Sequence, residues 1–406
     1  MAKYNYKRDV FKGLTPFPFL GEVKTRVKAI ESAEATIPQS VFNANILAKK
    51  LHPAAQHAIV SKVIDRGDAK TYVLVPDKEA GTEKLAYFRA GQYVSVELHM
   101  GDLTIHKPYS LQSGPKDALG EFSSYTLTIR TAKTGFASEY ILTTWKEGSR
   151  VTVSGPQGEF YYTDLRDAAK VVALAGGSGV NPFFSMAEAI ADGIEDFELT
   201  ILYGSRTEDT ILLKDELESV VVRSKGKVKL VHILSDEEKE GYEHGFITAE
   251  LIKKYAPEGD YSVFLCGPGP FYDYMDTQLP LLGKPGRRIR KELYGERKNV
   301  EQLPDYPAEC AGKTYVLKVI DRDKTYELTC KSGQSLLDAM EKAGMEAPSR
   351  CRSGVCGWCH SRLVSGKVYI PEGADGRRMA DVKFGWVHPC CSFPLSDIEI
   401  EISSIR

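Results

Sequence analysis

The sequence predicts a multidomain protein: an all-β domain of short antiparallel strands, an α/β domain with a parallel sheet, and a smaller α+β domain at the C-terminus. Its 406 residues exceed what one hydrophobic core usually supports, so two or three domains are expected. Residues 58–162 contain short runs of alternating apolar and polar residues, which are typical of antiparallel strands. After about residue 168, apolar strands alternate with helical stretches, which predicts a parallel sheet with crossover helices.

The composition is that of an ordinary globular protein. Hydrophobic residues make up 42% of the chain, its formal charge is −2 at pH 7, and no apolar run approaches the roughly 18 residues of a membrane-spanning helix. The first residues lack a hydrophobic signal segment, and eight cysteines in such a chain favour the reducing cytoplasm. No dense basic and aromatic patch is present, so nucleic acid is not an expected partner.

Residues 1–57 are expected to form an N-terminal extension whose role the sequence does not reveal. The segment has nine basic and four acidic residues and contains several prolines. A basic segment with aromatic residues either docks an acidic partner or packs over a domain surface. The sequence leaves both interpretations open.

Two motifs stand out in the all-β segment, residues 58–162. Lys107-Pro108-Tyr109-Ser110 ends a strand and offers a cation, a ring and a hydroxyl, although by itself this run is more often a strand end and turn. Gly135-Phe136-Ala137-Ser138 opens a predicted helix, whose free N–H groups suit a pyrophosphate. Ser138 can equally be a simple N-cap. Arg130, which ends the preceding strand, is a further candidate for a phosphate contact.

A glycine-rich loop predicts a nucleotide site in the α/β segment, residues 163–295. The loop follows a strand, precedes a helix and contains Gly176, Gly177, Ser178, Gly179 and Pro182. Glycines at this position allow the backbone to approach a pyrophosphate closely, although a plain turn is the alternative. Another apolar strand is followed by Cys266-Gly267-Pro268, in which Cys266 alone would be read as a buried thiol.

Four cysteines follow a polar linker at residues 296–311 and dominate the last segment, residues 312–406. Cys351, Cys356 and Cys359 have the C-x4-C-x2-C spacing of a plant-type [2Fe–2S] loop, and Cys390 is the expected fourth ligand. A zinc site or scattered core thiols are the alternatives, but zinc sites usually pair two short Cys-x-x-Cys elements. Cys391 is expected to be a small apolar side chain.

In their order along the chain, these motifs resemble those of the ferredoxin–NADP reductase superfamily, and the cysteine loop resembles that of plant-type ferredoxins. The resemblance covers residues 58–295 and 312–406, as in oxygenase-type and hybrid-cluster-type reductases. It implies an antiparallel β-barrel flavin domain, a parallel-sheet NAD(P)-binding domain and a β-grasp ferredoxin domain. It also implies FAD, with FMN as the alternative, a [2Fe–2S] cluster, and NADH or NADPH as substrate.

The resemblance gives roles to individual residues. It implies that Tyr109 packs on the flavin ring, that Ser110 hydrogen-bonds the flavin N5 edge, and that Lys107 meets the phosphates at a position where the family has arginine. The lysine keeps the charge but lacks the bidentate fork of arginine. Cys266 is expected near the nicotinamide ring, and Glu292 on the last strand is expected near the flavin–nicotinamide contact. Ser110, Cys266 and Glu292 would orient the reactants and attack nothing.

The choice of nucleotide depends on residues after the second strand of the α/β segment. Ser205 and Arg206 lie where the adenosine ribose is expected and could hold the 2′-phosphate of NADPH. Glu208 and Asp209 add negative charge there, which disfavours that phosphate. The balance of these residues favours NADH.

Electron counting predicts the function. A nicotinamide gives up two electrons as a hydride, a [2Fe–2S] cluster accepts one, and a flavin links the two because it accepts a pair and releases single electrons. The expected function is an NAD(P)H-dependent reductase that passes electrons to a separate acceptor protein of the oxygenase, hybrid-cluster or corrinoid protein type. The alternatives are a self-sufficient reductase of ferric iron, quinone or free flavin, and an iron–sulfur redox sensor.

Overall fold

The computed structural model describes residues 20–32, 42–101, 103–131, 136–293 and 295–402. The chain divides into two units, Met1–Lys50 and Leu51–Arg406. Before residue 52 the described elements are the helices α1 (Leu20–Ser32) and α2 (Asn43–Leu51). In the described ranges, no helix has both the length and the apolar character needed to cross a bilayer.

A six-stranded antiparallel sheet forms the first domain of the larger unit. Its elements are β1 (Gln56–Asp65), β2 (Ala69–Pro76), β3 (Tyr93–Met100), β4 (Leu103–Ser110), β5 (Tyr125–Arg130), α3 (Phe136–Thr144) and β6 (Arg150–Val153). The strand order is β4-β3-β6-β1-β2-β5. Inward-facing residues on these strands form one apolar core, which includes Tyr72, Val96 and Leu127. The predicted antiparallel barrel-type fold of this segment is confirmed.

A six-stranded parallel sheet forms the second domain. Its elements are β7 (Lys170–Gly176), α4 (Asn181–Ala191), β8 (Glu198–Ser205), α5 (Lys214–Arg223), β9 (Val228–Leu234), β10 (Glu243–His244), α6 (Ala249–Tyr255), β11 (Ser262–Cys266), α7 (Gly269–Gln278) and β12 (Ile289–Lys291). The order β10-β9-β8-β7-β11-β12 reverses direction at β7. Ligands of parallel sheets bind at the carboxyl ends of strands beside such a reversal, which is where the glycine-rich loop follows β7.

In its described residues, the third domain consists of a mixed five-stranded sheet, a separate two-stranded sheet and two helices. Its elements are β13 (Thr314–Asp321), β14 (Lys324–Lys331), α8 (Leu336–Lys342), β15 (Ser361–Ser365), β16 (Val368–Tyr369), α9 (Met379–Lys383), β17 (Trp386–Val387), β18 (Phe393–Pro394) and β19 (Ile398–Ile402). The strand order is β14-β13-β19-β15-β17, in which β13 and β19 are parallel. The cysteine loop lies between α8 and β15. This α+β arrangement is the expected β-grasp fold.

The segment predicted as a polar linker, residues 296–311, packs on the third domain. Val300, Tyr306 and Cys310 are buried and share a small apolar core with Tyr369 and Phe393. The Tyr306 and Tyr369 rings meet edge to face with centroids 5.0 Å apart. The segment therefore fastens the third domain to the rest of the unit along a packed surface.

A buried ion pair fixes the second domain to the segment that leads out of the first. Arg290 on β12 lies with its Nε 2.9 Å from Oδ1 of Asp167, and both side chains are buried. The same guanidinium donates to the carbonyl oxygens of Glu159 at 2.9 Å and Tyr161 at 2.6 Å. Because a buried charge is tolerated only with such partners, these contacts hold the two domains in one arrangement.

Candidate functional site

The four predicted cluster ligands converge. The sulfur atoms of Cys359 and Cys390 lie 3.4 Å apart, close to the roughly 3.8 Å expected of two thiolates on one tetrahedral metal at about 2.3 Å each. Backbone N–H groups point at the sulfurs, from Gly354 to Cys390 at 3.3 Å and from Cys356 to Cys351 at 3.3 Å. Sulfur ligands that accept amide hydrogen bonds are what an iron–sulfur cluster requires, so the loop fits a [2Fe–2S] cluster.

The thiols themselves are electrostatically coupled. Hydrogen bonds from Cys356 and Cys390 hold the pKa of Cys351 far below its usual range. The same contact with Cys351, and then burial, raises the pKa of Cys356. Several thiols therefore lie within hydrogen-bond reach of one another, which is the arrangement expected when cysteines are held together to bind a cation.

The structure gives Cys390 and its neighbour Cys391 different additional contacts. The Cys391 thiol donates to the His388 carbonyl oxygen at 3.4 Å and packs beneath the loop. A Cβ atom on Gly354 would lie 2.8 Å from the Cys391 sulfur and 2.1 Å from the Ala374 carbonyl oxygen, and Gly354 has a φ of +82°. Only glycine fits here, so the backbone can wrap the ligand thiols while Cys391 fills space.

Two arginines flank Cys351 and contact the antiparallel domain. Arg350 stacks its guanidinium 3.5 Å from the Trp358 ring centroid and donates to the Ala54 carbonyl oxygen at 3.1 Å. Its own carbonyl oxygen accepts a long hydrogen bond, 3.5 Å, from the Ser95 hydroxyl. The segment just before Cys351 is therefore attached to the antiparallel domain through β3 and the chain that leads into β1.

Arg352 is the centre of a buried ionic triad. Its side chain is 2% exposed and donates two hydrogen bonds to the Glu341 carboxylate, at 2.5 and 2.7 Å. It also bonds the Glu296 carboxylate and, at 3.5 Å, the carbonyl oxygen of His106 on β4. Arg352 has a φ of +58°, so a strained backbone aims the guanidinium at these partners. One side chain thus joins the cysteine loop, α8, residue 296 and β4.

The Lys107–Ser110 motif lies at the end of β4. The residue opposite Ser110 is Tyr93 on the neighbouring β3. Burial, and then the nearby Arg352 charge, lower the pKa of Lys107 to about 8. Its Nζ lies 5.8 Å from the ring centroid of Phe136, the first residue of α3. The structure therefore brings the motif's cation next to the N-terminus of α3.

The remaining residues of the two motifs in the antiparallel domain differ in their burial. Pro108 is buried, and burial raises the pKa of Tyr109. Ala137 and Ser138 are buried in the first turn of α3, whereas Phe136 is 52% exposed. Gly135 lies outside the described residues. A cation and a helix N-terminus therefore meet at one place, a combination that fits the phosphates of a flavin nucleotide.

The glycine-rich loop packs directly against the Cys266–Pro268 segment. A Cβ atom on Gly179 would lie 2.1 Å from the Cys266 carbonyl oxygen, and one on Gly176 would lie 3.2 Å from Cδ of Pro268. Gly177–Val180 form a 3-10 turn that leads into α4, with Ser178 exposed and Pro182 in the first turn of the helix. This narrow cradle, which side chains would fill, fits a pyrophosphate at the β7 reversal.

Arg130 lies beside the glycine-rich loop. Its Nε lies 2.7 Å from the Asp68 carboxylate, and Nη2 donates to the Thr210 carbonyl oxygen at 3.3 Å. Nη1 is 3.6 Å from the Cβ position of Gly177. The arginine thus faces the glycine-rich loop, so the structure favours a contact with the nicotinamide nucleotide over one with the flavin.

Cys266 and Glu292 are connected through Tyr272. The Tyr272 hydroxyl accepts from the Gly267 N–H at 3.1 Å and donates to the carbonyl oxygen of Glu292. Burial raises the pKa of the Cys266 thiol, so this cysteine is a neutral, apolar wall. A Cβ atom on Gly158 would overlap the Tyr93 ring and would lie 4.0 Å from the Glu292 carboxylate. Tyr93 therefore lies between the Glu292 region and Ser110.

The two predicted ribose contacts lie in different surroundings. Arg206 pairs with Asp236 through Nε and Oδ2 at 3.0 Å, and both side chains reach solvent. Ser205 has a buried hydroxyl oxygen at the end of β8. The Glu208 carboxylate accepts hydrogen bonds from Lys214, Lys239 and the Tyr242 hydroxyl, of which the bond from Lys214 has the largest effect. Together they lower the pKa of Glu208 to about 2. The region near the ribose is thus rich in paired charges.

Three parts of the chain match known families. Residues 60–162 match the oxidoreductase FAD-binding domain, residues 173–277 the oxidoreductase NAD-binding domain, and residues 319–395 the 2Fe-2S iron-sulfur cluster binding domain. They coincide with the three sheets and with the cysteine loop. The chain belongs to the ferredoxin–NADP reductase superfamily. It carries its ferredoxin domain at the C-terminus.

Relatives of the reductase span most of its length. It is 27% identical over 358 residues to the glycine betaine monooxygenase reductase subunit of Pseudomonas aeruginosa, covering 84% of this chain and 93% of that protein. It is 29% identical over 364 residues to the 3-ketosteroid-9-alpha-monooxygenase ferredoxin reductase component of Mycobacterium tuberculosis, covering 85% and 96%. The fold is also that of phthalate dioxygenase reductase, with a TM-score of 0.59, 23% identity and coverage of 86% and 98%.

The matches establish the reductase as an NAD(P)H-dependent oxidoreductase with FAD and a [2Fe–2S] cluster, which passes electrons to a separate acceptor protein. The expected family, fold class, cofactors and type of activity are thereby confirmed. The sequence interpretation did not single out Tyr93, Tyr272, Arg350 or Arg352. Only the two arginines had a signal: they are the charged residues of the cysteine loop, and both adjoin Cys351.

Proposed function

We propose that this chain is the reductase component of a two-protein oxygenase system, taking electrons from NADH and delivering them singly to the oxygenase. The printed names of relatives that match over almost their whole length support this assignment. The observation that carries it is the contact of the cysteine loop with the antiparallel domain through Arg350 and Arg352. That contact places the cluster loop beside the flavin motif in one chain.

Residues of the antiparallel domain would hold the flavin. Lys107 and the first turn of α3, with Phe136, Ala137 and Ser138, would bind its phosphates, and Tyr109 and Ser110 would position its ring. Gly135 is assigned to this turn by the sequence motif alone. When bound, the flavin accepts electrons in pairs and releases them one at a time. The chain's own task is to hold the reactants in place and to exclude water.

Residues of the parallel domain would hold the nucleotide. The loop from Gly176 to Pro182, with Arg130, would bind the pyrophosphate, and Cys266, Gly267 and Pro268 would line the nicotinamide pocket. Glu292, held through Tyr272, would close the pocket from the last strand. We assign NADH because Asp236 already pairs with Arg206, so this guanidinium is not poised for a 2′-phosphate. We place the protein in the cytoplasm, where the Cys351, Cys356, Cys359 and Cys390 thiols stay reduced until they bind iron.

An anaerobic titration tests the proposed relay. The purified holoprotein is titrated with NADH and, separately, with NADPH while the flavin and cluster absorbance bands are recorded. We expect NADH to bleach both bands at about three electrons per chain, two for the flavin and one for the cluster. Bleaching of the flavin alone would contradict a relay through the cluster, and a better response to NADPH would overturn the nucleotide assignment.

The low pKa of Lys107 predicts a pH dependence of flavin affinity. Below about pH 8 the ammonium is charged and attracts phosphate, and above it the neutral amine does not. We therefore expect FAD affinity of the deflavinated protein to fall by about tenfold between pH 7 and pH 9.5. Lys107→Arg should remove most of that fall because arginine stays protonated. Quenching of FAD fluorescence measures both proteins, and parallel pH profiles would contradict the assignment.

The contact at Gly179 predicts a localised defect in nucleotide binding. In Gly179→Ala, the new methyl group would overlap the Cys266 carbonyl, so the loop must shift. We expect a loss in kcat/KM for NADH on the order of 100-fold, with ferricyanide as acceptor. Gly269→Ala is the matched control, since no atom lies within 4 Å of its Cβ position. Equal activity of the two variants would show that the loop does not bind the nucleotide.

A further inference from the structure

We propose that one surface of the ferredoxin domain, the α9 face, docks the acceptor protein, and that this partner presents an apolar patch bordered by carboxylates. The α9 face consists of Val355 in the cysteine loop, Met379 and Val382 on α9, Phe384 just after it, and the basic residues Arg378 and Lys383. The inference rests on the proposed function, because it assumes electron transfer to a separate protein.

The apolar members of the α9 face are unusually exposed. Met379 is 90% exposed, Phe384 66%, Val355 58% and Val382 52%. Met379 and Val382 are three residues apart on one helix and so share a side. The Cβ position of Gly376, just before the helix, is 2.9 Å from Cα of Val355, which brings the α9 segment onto the cysteine loop. Grouped exposed apolar side chains of this kind mark interaction surfaces.

The α9 segment contacts the cluster loop through residues other than those that contact the flavin domain. Nε2 of His360, the residue after Cys359, lies 3.3 Å from Oδ1 of Asp381 on α9. The His360 ring also stacks on Trp386 with centroids 4.1 Å apart. In contrast, the residues on both sides of Cys351 are engaged by the flavin domain. The flavin domain therefore contacts the residues on both sides of Cys351, and the α9 segment contacts the loop at Val355 and at His360.

The charge that α9 offers to solvent is positive. The Arg378 side chain is 84% exposed, and Lys383 is exposed with its Nζ 5.8 Å from the Phe384 ring centroid. The acid of the helix, Asp381, is 10% exposed and is engaged by His360 and Arg378. An apolar centre with a basic rim is complementary to an apolar patch with an acidic rim. The occupant is accordingly an acidic electron acceptor.

Two redox proteins of opposite charge test the α9 face. The full-length holoprotein with Arg378→Glu and Lys383→Glu is compared with the wild type, using NADH as donor and either acidic cytochrome b5 or basic cytochrome c as acceptor. We expect the reduction of cytochrome b5 to slow by about tenfold at low ionic strength, and the difference to shrink as salt is added. Cytochrome c reduction should stay equal or rise, and the rate at which NADH bleaches the flavin should not change.

A matched control distinguishes a local surface from a general charge effect. Lys324→Glu with Lys331→Glu makes the same change in net charge on β14, at the edge of the sheet opposite β17. Equal slowing by the two double variants, or slowing by neither, would overturn the proposal. Met379→Gln should slow cytochrome b5 reduction in a manner insensitive to salt. If NADH fails to reduce the wild-type cluster, the proposed function fails, and dithionite-reduced protein still tests the α9 face with the same acceptors.

Discussion

Replacing Cys390 by alanine should abolish the iron–sulfur cluster while leaving flavin reduction by NADH intact. Cys390 accepts the Gly354 N–H and lies in sulfur–sulfur contact with Cys359, so its loss removes a ligand and an anchor of the loop. Four thiolates are needed to hold the two irons. We expect iron content to fall from one cluster per chain to none, with loss of the cluster absorbance and of the electron paramagnetic resonance signal of the reduced protein.

The neighbouring residue supplies the control. Cys391→Ala removes an equally buried thiol that bonds the His388 carbonyl oxygen and packs beneath Gly354. We expect this variant to keep a full cluster and to lose only the stability typical of a small cavity, about 1 kcal/mol. A cluster that survives Cys390→Ala but not Cys391→Ala would show that the ligand register is shifted by one residue.

The elements that the sequence predicted well are those with local signals. The strands Tyr125–Arg130 and Lys170–Gly176 have runs of apolar or alternating residues, and the ligand spacing around Cys351 is encoded within nine residues. Periodicity and motif spacing are properties of short segments, so they can be recognised without knowing the fold. The change from antiparallel to parallel strands followed from these segments, and the domain roles followed from the family resemblance.

The interactions that the sequence did not reveal are those made between distant segments. The buried charge of Arg352 is paired with the carboxylates of Glu296 and Glu341, which lie 56 and 11 residues away in the sequence. The sequence of the loop itself gives no indication of these partners. The segment 296–311 was expected to be a polar linker, yet Val300 and Tyr306 pack against the ferredoxin domain. Isolated apolar residues in a polar stretch have no periodicity, so their burial depends on the tertiary partner.

The position of Arg130 illustrates a further limit. Its sequence position beside the flavin motifs suggested a phosphate contact, and the structure places it against Gly177 of the nucleotide loop. A residue at the end of β5 can face either domain, because the domain interface is set by contacts such as Arg290 with Asp167. The residue type predicted the chemistry, and the choice of ligand required the arrangement of domains.

Arg352→Met should destabilise the ferredoxin domain by about 3–5 kcal/mol, the cost of leaving buried carboxylates without their cation. Methionine preserves most of the side-chain volume, so the loss reflects charge and hydrogen bonds to Glu296 and Glu341. Denaturant unfolding of the full-length holoprotein, followed by cluster absorbance, measures the change. Because Arg352 also bonds the His106 carbonyl oxygen, we expect stopped-flow electron transfer from flavin to cluster to slow as well.

Two further variants show whether the effect of Arg352→Met is specific to the triad or would follow from the loss of any arginine. Arg362→Met changes an exposed arginine on β15 of the same domain and should alter stability by no more than about 0.5 kcal/mol. Adding Glu296→Gln to Arg352→Met removes one orphaned carboxylate, so it should restore part of the lost stability but not the rate of flavin-to-cluster transfer. A single Arg352→Met effect no larger than that of Arg362→Met would contradict a structural role for the triad. Recovery of both stability and rate in the double variant would mean that Arg352 acts only by neutralising Glu296, and not by fastening the cluster loop to β4.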